Sequence, residues 1–285
     1  MMRRSFLTAL GAGSGALFPL PVVAATAGYD QHGWQPDGLG FRARIGLLTP
    51  NDDAVPESEF WTMAPEGVSV HVSRVLLVDT RKFTDPPHLD DATELLAALP
   101  MQAIVLAFTT TSYILGPDGE QELKVRLQER SKGIPVLLTG PAAVAALRAL
   151  EARRIALIHP PWFADDEQQL GVQYFRKQGF DVVYANQMRL RGFSIAKPTD
   201  PLRKFTEVYP AELYEWARTQ VPPEAEALLF SGNGFRAIGV IAALEEDLGR
   251  PVVTANQVAF WYALRQAGVH VAVNGYGRLF TKLNA

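Results

Sequence analysis

Cysteine is absent from the 285 residues, so a disulfide framework, a thiolate nucleophile and a cysteine-bound metal are all excluded. Histidine is scarce. His32, His71, His88, His159 and His270 lie far apart, and none has the short spacing to a second ligand that a structural zinc or a zinc hydrolase needs. No metal and no cofactor are expected on these grounds. An excess of one charge is lacking too: the formal charge of −3 becomes −5 without residues 1–27, which carry Arg3 and Arg4 and no acid. That mild balance gives no electrostatic footprint for nucleic acid or an anionic membrane. Apolar residues are not depleted, at 48% of the chain against 20% charged, which predicts a compact globular protein rather than a disordered one.

Residues 1–27 read as an export signal. Arg3-Arg4-Ser5-Phe6-Leu7 sets a twin arginine ahead of the apolar stretch Ala9 to Ala25, and Ala25-Thr26-Ala27 is a small-x-small cleavage pattern. A transmembrane anchor is the alternative, but Gly11, Gly13, Gly15, Pro19 and Pro21 weaken a spanning helix. The expectation is therefore passage through the twin-arginine export machinery, loss of the signal with no stable membrane anchor, and a periplasmic location. Residues 28–40 are polar, rich in Gly and Pro, and read as a flexible linker.

Beyond the linker, short apolar runs alternate with amphipathic stretches. Strands are predicted at Ile45–Thr49, Val68–Val78, Ala103–Phe108, Pro135–Thr139, Arg154–His159, Asp181–Tyr184, Ala227–Phe230, Pro251–Thr254 and His270–Val273. Helices are predicted at Glu57–Met63, Asp91–Ala98, Gly119–Lys132, Ala142–Ala152, Asp166–Gln178, Pro210–Thr219, Phe235–Leu248 and Gln257–Ala267. The alternation implies an α/β protein with parallel sheets covered on both faces.

Two strand-to-helix junctions are alike: Ala107-Phe108 runs into Thr109-Thr110-Thr111-Ser112, and Leu229-Phe230 into Ser231-Gly232-Asn233-Gly234. Free backbone N–H groups at such places receive a carboxylate well. The same residue types also cap helices and turn chains in many α/β proteins.

In order and spacing, a set of short pieces resembles the maleate isomerase and arylmalonate decarboxylase branch of the aspartate/glutamate racemase superfamily. The pieces are Gly46-Leu47-Leu48-Thr49-Pro50 with Glu57 and Glu59, Pro65-Glu66-Gly67-Val68-Ser69-Val70-His71 with Arg74, the two junctions, Leu248 to Gln257 with Trp261, and Gly275-Tyr276-Gly277-Arg278-Leu279. The resemblance implies two pseudo-symmetric lobes of parallel sheet and flanking helices with the active cleft between them. Residues 41–140 plus 255–285 would form the first lobe and 141–254 the second. It also implies a cysteine at each junction, where this chain has Phe108 and Gly232. The asparagine usual after the first strand aligns with Asp53, and the tyrosine of a Pro-Tyr-Thr turn with Trp162.

The expected substrate-binding residues are then Pro50, Phe108, Thr109, Thr110, Ser112, Trp162, Ser231, Gly232, Asn233 and Gly234. Phe108 and Trp162, with Phe163 and Phe230, would make an apolar wall, although Trp162 also reads as a packing residue between lobes. Asp53 is the candidate catalytic acid, with a helix N-cap ahead of Glu57 as the other reading. His159 could serve as an acid or base or be a structural histidine, and Asp165-Asp166-Glu167 is the charged first turn of a helix. Two functions follow as expectations: a thiol-independent lyase or decarboxylase, or an isomerase, acting on a small carboxylic acid; or a non-catalytic periplasmic receptor for a small carboxylate or aromatic acid. Self-association into a homo-oligomer is left open.

Overall fold

The computed structural model describes residues 37–189 and 208–284. The expected export signal and residues 28–36 of the expected linker lie outside them.

The chain builds the same parallel sheet twice. β1 (Ala43–Pro50), β2 (Val68–Val75), β3 (Ala103–Leu106) and β4 (Val136–Leu138) form one sheet in the order β2-β1-β3-β4. β5 (Arg154–His159), β6 (Asp181–Gln187), β7 (Ala227–Phe230) and β8 (Val252–Thr254) form the other as β6-β5-β7-β8. All pairings are parallel. Two lobes of α/β structure result, as the sequence implied.

β3, β4, β7 and β8 are short and almost wholly apolar because helices cover both faces, whereas the edge strands β2 and β6 carry polar residues such as His71, Arg74, Asp181 and Asn186. In β1 and β3, Ile45, Leu47 and Val105 enter a core shared by both sheets, while Leu48, Ile104 and Leu106 face a second cluster with Leu89, Leu96 and Leu127. That alternation is the period-two geometry of a strand. The helices are α1 (Val55–Met63), α2 (His88–Leu96), α3 (Thr109–Arg130), α4 (Thr139–Ala149), α5 (Asp165–Lys177), α6 (Pro210–Gln220), α7 (Ile241–Leu248) and α8 (Ala255–Gln266). α8 packs on β3, β4, α1 and α4, and α3 packs on α5, so helices bridge the two sheets.

Several expected boundaries move for physical reasons. α3 begins at Thr109 rather than Gly119, and the break that hid its first turns is Gly116, at φ 65°, followed by Pro117. The helix expected over Phe235–Leu248 is a turn and a short 3₁₀ segment, Ile238–Val240, before α7 starts at Ile241. β2 stops at Val75, since Leu76 and Val78 are exposed. His270–Val273 is not a strand; the alternation of Val271 and Val273 comes from half-buried valines packed on the main core without a strand partner.

Candidate functional site

Four loops leave the C-terminal ends of the central strands β1, β3, β5 and β7, and they carry most of the expected site residues. Loops at this end of parallel strands are where α/β proteins bind ligands. Pro50 ends β1 and is buried. Phe108 precedes α3, half-buried, with its ring 4.4 Å from that of Phe83. Trp162 meets Phe235 edge-on, and Phe235 meets Phe230 in the same manner, so Trp162 does pack on the core as well as lying in the β5 loop.

Thr109 and Asn233 meet. The Thr109 backbone N–H and hydroxyl both donate to Asn233 Oδ1, at 2.8 and 2.7 Å. Thr139 Oγ1 lies 3.3 Å from the same oxygen, its proton shared with the Leu106 carbonyl at 3.1 Å. Thr109 and Asn233 therefore satisfy one another instead of both facing an open cleft. Of the expected cradle, the backbone N–H groups of Thr110, Gly232, Asn233 and Gly234 have no acceptor among the described residues. Ser112 is also engaged: its hydroxyl accepts from the Gly140 N–H at 3.1 Å and donates to the Glu120 carboxyl.

The Ser231 hydroxyl lies 2.7 Å from the Tyr113 hydroxyl, on the first turns of α3. Burial pushes the Tyr113 phenol well above its ordinary range, so it is a hydrogen-bond partner rather than a phenolate. Gly232 holds φ +96°, where a side chain is strained. A Cβ there would also come within 2.9 Å of Pro160 Cγ.

Asp53 is buried, and its Oδ1 accepts from the Val55 N–H at 3.0 Å, an Asx-type turn one residue before the N-cap position of α1, which is Ala54. Its charge reaches Glu59, a residue the sequence placed in the resemblance but not in the site. Burial pushes Glu59 up to about 7, with Asn256 and the Ile238 and Ala237 amides pulling the other way. His159 ends β5 with both ring nitrogens unpartnered, stacked on Phe163, and burial lowers it to about 4. Asp165, Asp166 and Glu167 form the first turn of α5 as expected. Among the described residues, no group of three acidic or histidine side chains is placed to hold a metal ion, and no helix is long and apolar enough to cross a membrane.

The family model for arylmalonate decarboxylase matches residues 86–280, which include both junctions, β3 and β4 of the first sheet and the whole of the second. This chain belongs to that family. It is 26% identical over 178 residues to an arylmalonate decarboxylase of Bordetella bronchiseptica, covering 62% of this chain and 70% of the relative. It is 22% identical over 252 residues to a maleate isomerase of Pseudomonas putida, covering 84% of this chain and 97% of the relative. Its fold matches the crystal structure of a cysteine-to-alanine variant of the maleate isomerase Iso from Pseudomonas putida S16 with maleate at a TM-score of 0.72, with 19% identity over 84% of this chain and 98% of the other. The family, and the racemase-like branch that the short pieces suggested, thus agree with the duplicated sheet.

Proposed function

We propose that this family member is a thiol-independent lyase of the decarboxylase kind, acting on a small carboxylic acid in the cleft between the two junctions. The supporting observation is the set of unpartnered backbone N–H groups at Thr110, Gly232, Asn233 and Gly234, brought together where β3 and β7 end. Such donors stabilise a carboxylate in the ground state and the enediolate formed when carbon dioxide leaves. Phe108 and Trp162 provide an apolar wall for the departing carboxylate, which loses hydration there. With Phe108 and Gly232 at the positions that the resemblance gives to cysteines, the returning proton comes from Asp53 or from water. The names of the relatives, an arylmalonate decarboxylase and a maleate isomerase, support a small di- or monocarboxylic acid as the ligand.

The test is carbon dioxide release and proton NMR with phenylmalonate and a panel of small carboxylic acids on residues 28–285. Calorimetric binding of an acid without turnover would instead favour the second reading, a receptor that keeps the cleft and has lost the chemistry. We further propose export by the twin-arginine route to the periplasm, from the pattern of residues 1–27. Arg3→Lys with Arg4→Lys should hold the precursor in the cytoplasm, and normal periplasmic accumulation of that variant would reject the route.

A further inference from the structure

A chain of buried hydrogen bonds runs from α1 to the first residue of α3. Glu59 Oε1 accepts from the Ala237 and Ile238 backbone N–H groups at 3.0 and 3.3 Å. Glu59 Oε2 accepts from Asn256 Nδ2 at 2.7 Å, and the other proton of that amide goes to the Asn233 carbonyl at 2.7 Å. Asn256 Oδ1 then accepts from Asn233 Nδ2 at 2.8 Å. Asn233 Oδ1, at the far end, takes the Thr109 N–H and hydroxyl. Glu59, Asn256, Asn233 and Thr109 are all buried.

A carboxylate can only accept, whereas an amide has a donating end and an accepting end. Facing an ionised Glu59, Asn256 must present its NH₂ group and so turn its oxygen to Asn233. Asn233 must then answer with NH₂, which leaves its own oxygen for Thr109. If Asn233 were turned over, its NH₂ would face the Thr109 N–H, two donors with no acceptor, at a cost that buried polar groups do not escape. The polarity of the chain is therefore set from both ends, by Glu59 and the Asn233 carbonyl acting on Asn256 and by the Thr109 N–H acting on Asn233.

We propose that Glu59 is a positioning residue that, through Asn256 and Asn233, holds an amide oxygen on the N-terminus of α3 and so withholds the Thr109 donors from a ligand. A ligand carboxylate is left with the backbone donors of Thr110 and the 232–234 turn. That consequence for ligand choice rests on the proposed function; the hydrogen-bond chain does not.

Protonation of Glu59 removes the charged acceptor that Asn256 Nδ2 faces and leaves the two amides held by the Asn233 carbonyl and the Thr109 N–H alone, which weakens the contact at Thr109 and makes it depend on pH. The other ionisable groups nearby are Asp53 ahead of α1, the Arg74–Glu57 ion pair between β2 and α1, and Arg236 in the turn before Ala237. α8 contributes the neutral Asn256. The burial that raises Glu59 to about 7 puts the transition near neutrality.

The experiment follows the Thr109 backbone amide by NMR in the full chain from pH 5.5 to 9. In the parent, its proton resonance should move downfield as pH rises and the hydrogen bond to Asn233 becomes fixed. In Asn256→Ala the Glu59 carboxyl carbon should still titrate while Thr109 no longer responds, and in Glu59→Gln the Thr109 response should vanish. A Thr109 resonance that ignores pH in the parent, or that responds as before in Asn256→Ala, overturns the proposal. Because the readout needs no ligand, failure of the catalytic reading, seen as no carbon dioxide from any acid, is separate from failure here. The Asn256→Ala arm and the parent titration decide the matter even if Glu59→Gln does not fold.

Discussion

Thr109 and Asn233, 124 positions apart in the chain, share two hydrogen bonds through a single amide oxygen, one from the backbone N–H and one from the hydroxyl. The two junctions are thereby joined directly, and the contact between the β3 and β7 ends is part of the protein's stability.

Asn233→Ala should consequently destabilise the protein even without ligand. It strands the Thr109 N–H and hydroxyl in a buried place, which costs about 1–3 kcal/mol per unsatisfied group. Urea denaturation should show a lowered midpoint, and a double-mutant cycle with Thr109→Val should show coupling of about 1 kcal/mol or more. An unchanged midpoint in Asn233→Ala would mean that the donors find other partners.

Gly232→Cys should not create a thiol enzyme. The residue would sit at φ +96° with its Cβ within 2.9 Å of Pro160 Cγ, so the loop has to shift. Strain of this kind costs about 1–3 kcal/mol. Gly232→Ala should lose about as much stability as Gly232→Cys, and Gly232→Cys should show no maleate isomerisation. A fully stable Gly232→Cys protein would show that the loop accommodates a side chain without cost.

His159 should make the protein sensitive to acid. Its folded value is lowered to about 4 by burial, against 6.5 for an ordinary histidine. The unfolded chain therefore binds the extra proton first, and the stability from the neutral buried ring is present above about pH 6.5 and lost as pH falls toward 4. The full loss is on the order of 3 kcal/mol. His159→Phe should flatten this part of the curve of urea midpoint against pH. If parent and variant fall in parallel, another group is responsible.

Glu120 should act in the opposite direction. Burial pushes it up to about 7, against ordinary 4.5, while Ser112 and Tyr174 hydrogen bonds pull it back. Its protonated form is favoured on folding, so its contribution is fully present below about pH 4.5 and is lost as pH rises through 7. Glu120→Gln should keep a hydrogen-bonding side chain between Ser112 and Tyr174 and remove the decline in melting temperature between pH 5 and 8. Persistence of that decline in Glu120→Gln would assign it to Glu59, whose shift has the same sign.

Tyr113→Phe should cost about 1–2 kcal/mol by leaving the Ser231 hydroxyl buried without its 2.7 Å partner. Adding Ser231→Ala should recover part of that loss, because an unpaired polar group is worse than none. Additive losses in the double variant would place another acceptor beside Ser231.

Much of this architecture was legible locally. The strand Ala227–Phe230 begins and ends where the apolar run does, and Arg154–His159 holds the apolar run Ile155–Ile158 between its polar ends, because the middle of a parallel strand covered on both faces has no place for a polar residue. The first turns of α3 were not legible: Gly116 and Pro117 look like the end of a loop, yet the preceding residues already form a helix that turns at that point. His270–Val273 misled for the converse reason, since alternation reports two environments, and a loop lying on a core supplies them without any strand.

What the sequence determined by itself was the α/β alternation, the family likeness, the absence of any thiol, and the concentration of hydroxyl, amide and glycine residues at two junctions. These are local properties, set by composition and period. Only the tertiary structure decided which donors are left without a partner among the described residues. Asp53 turned out to hold the Val55 N–H in the turn before α1, Ser112 to serve Glu120, and Thr109 to be claimed by Asn233. Glu59 and Asn256, 197 positions apart, emerged as one buried pair. A hydrogen bond is made by whichever groups the packed chain brings within 3 Å, and no periodicity along the sequence carries that distance.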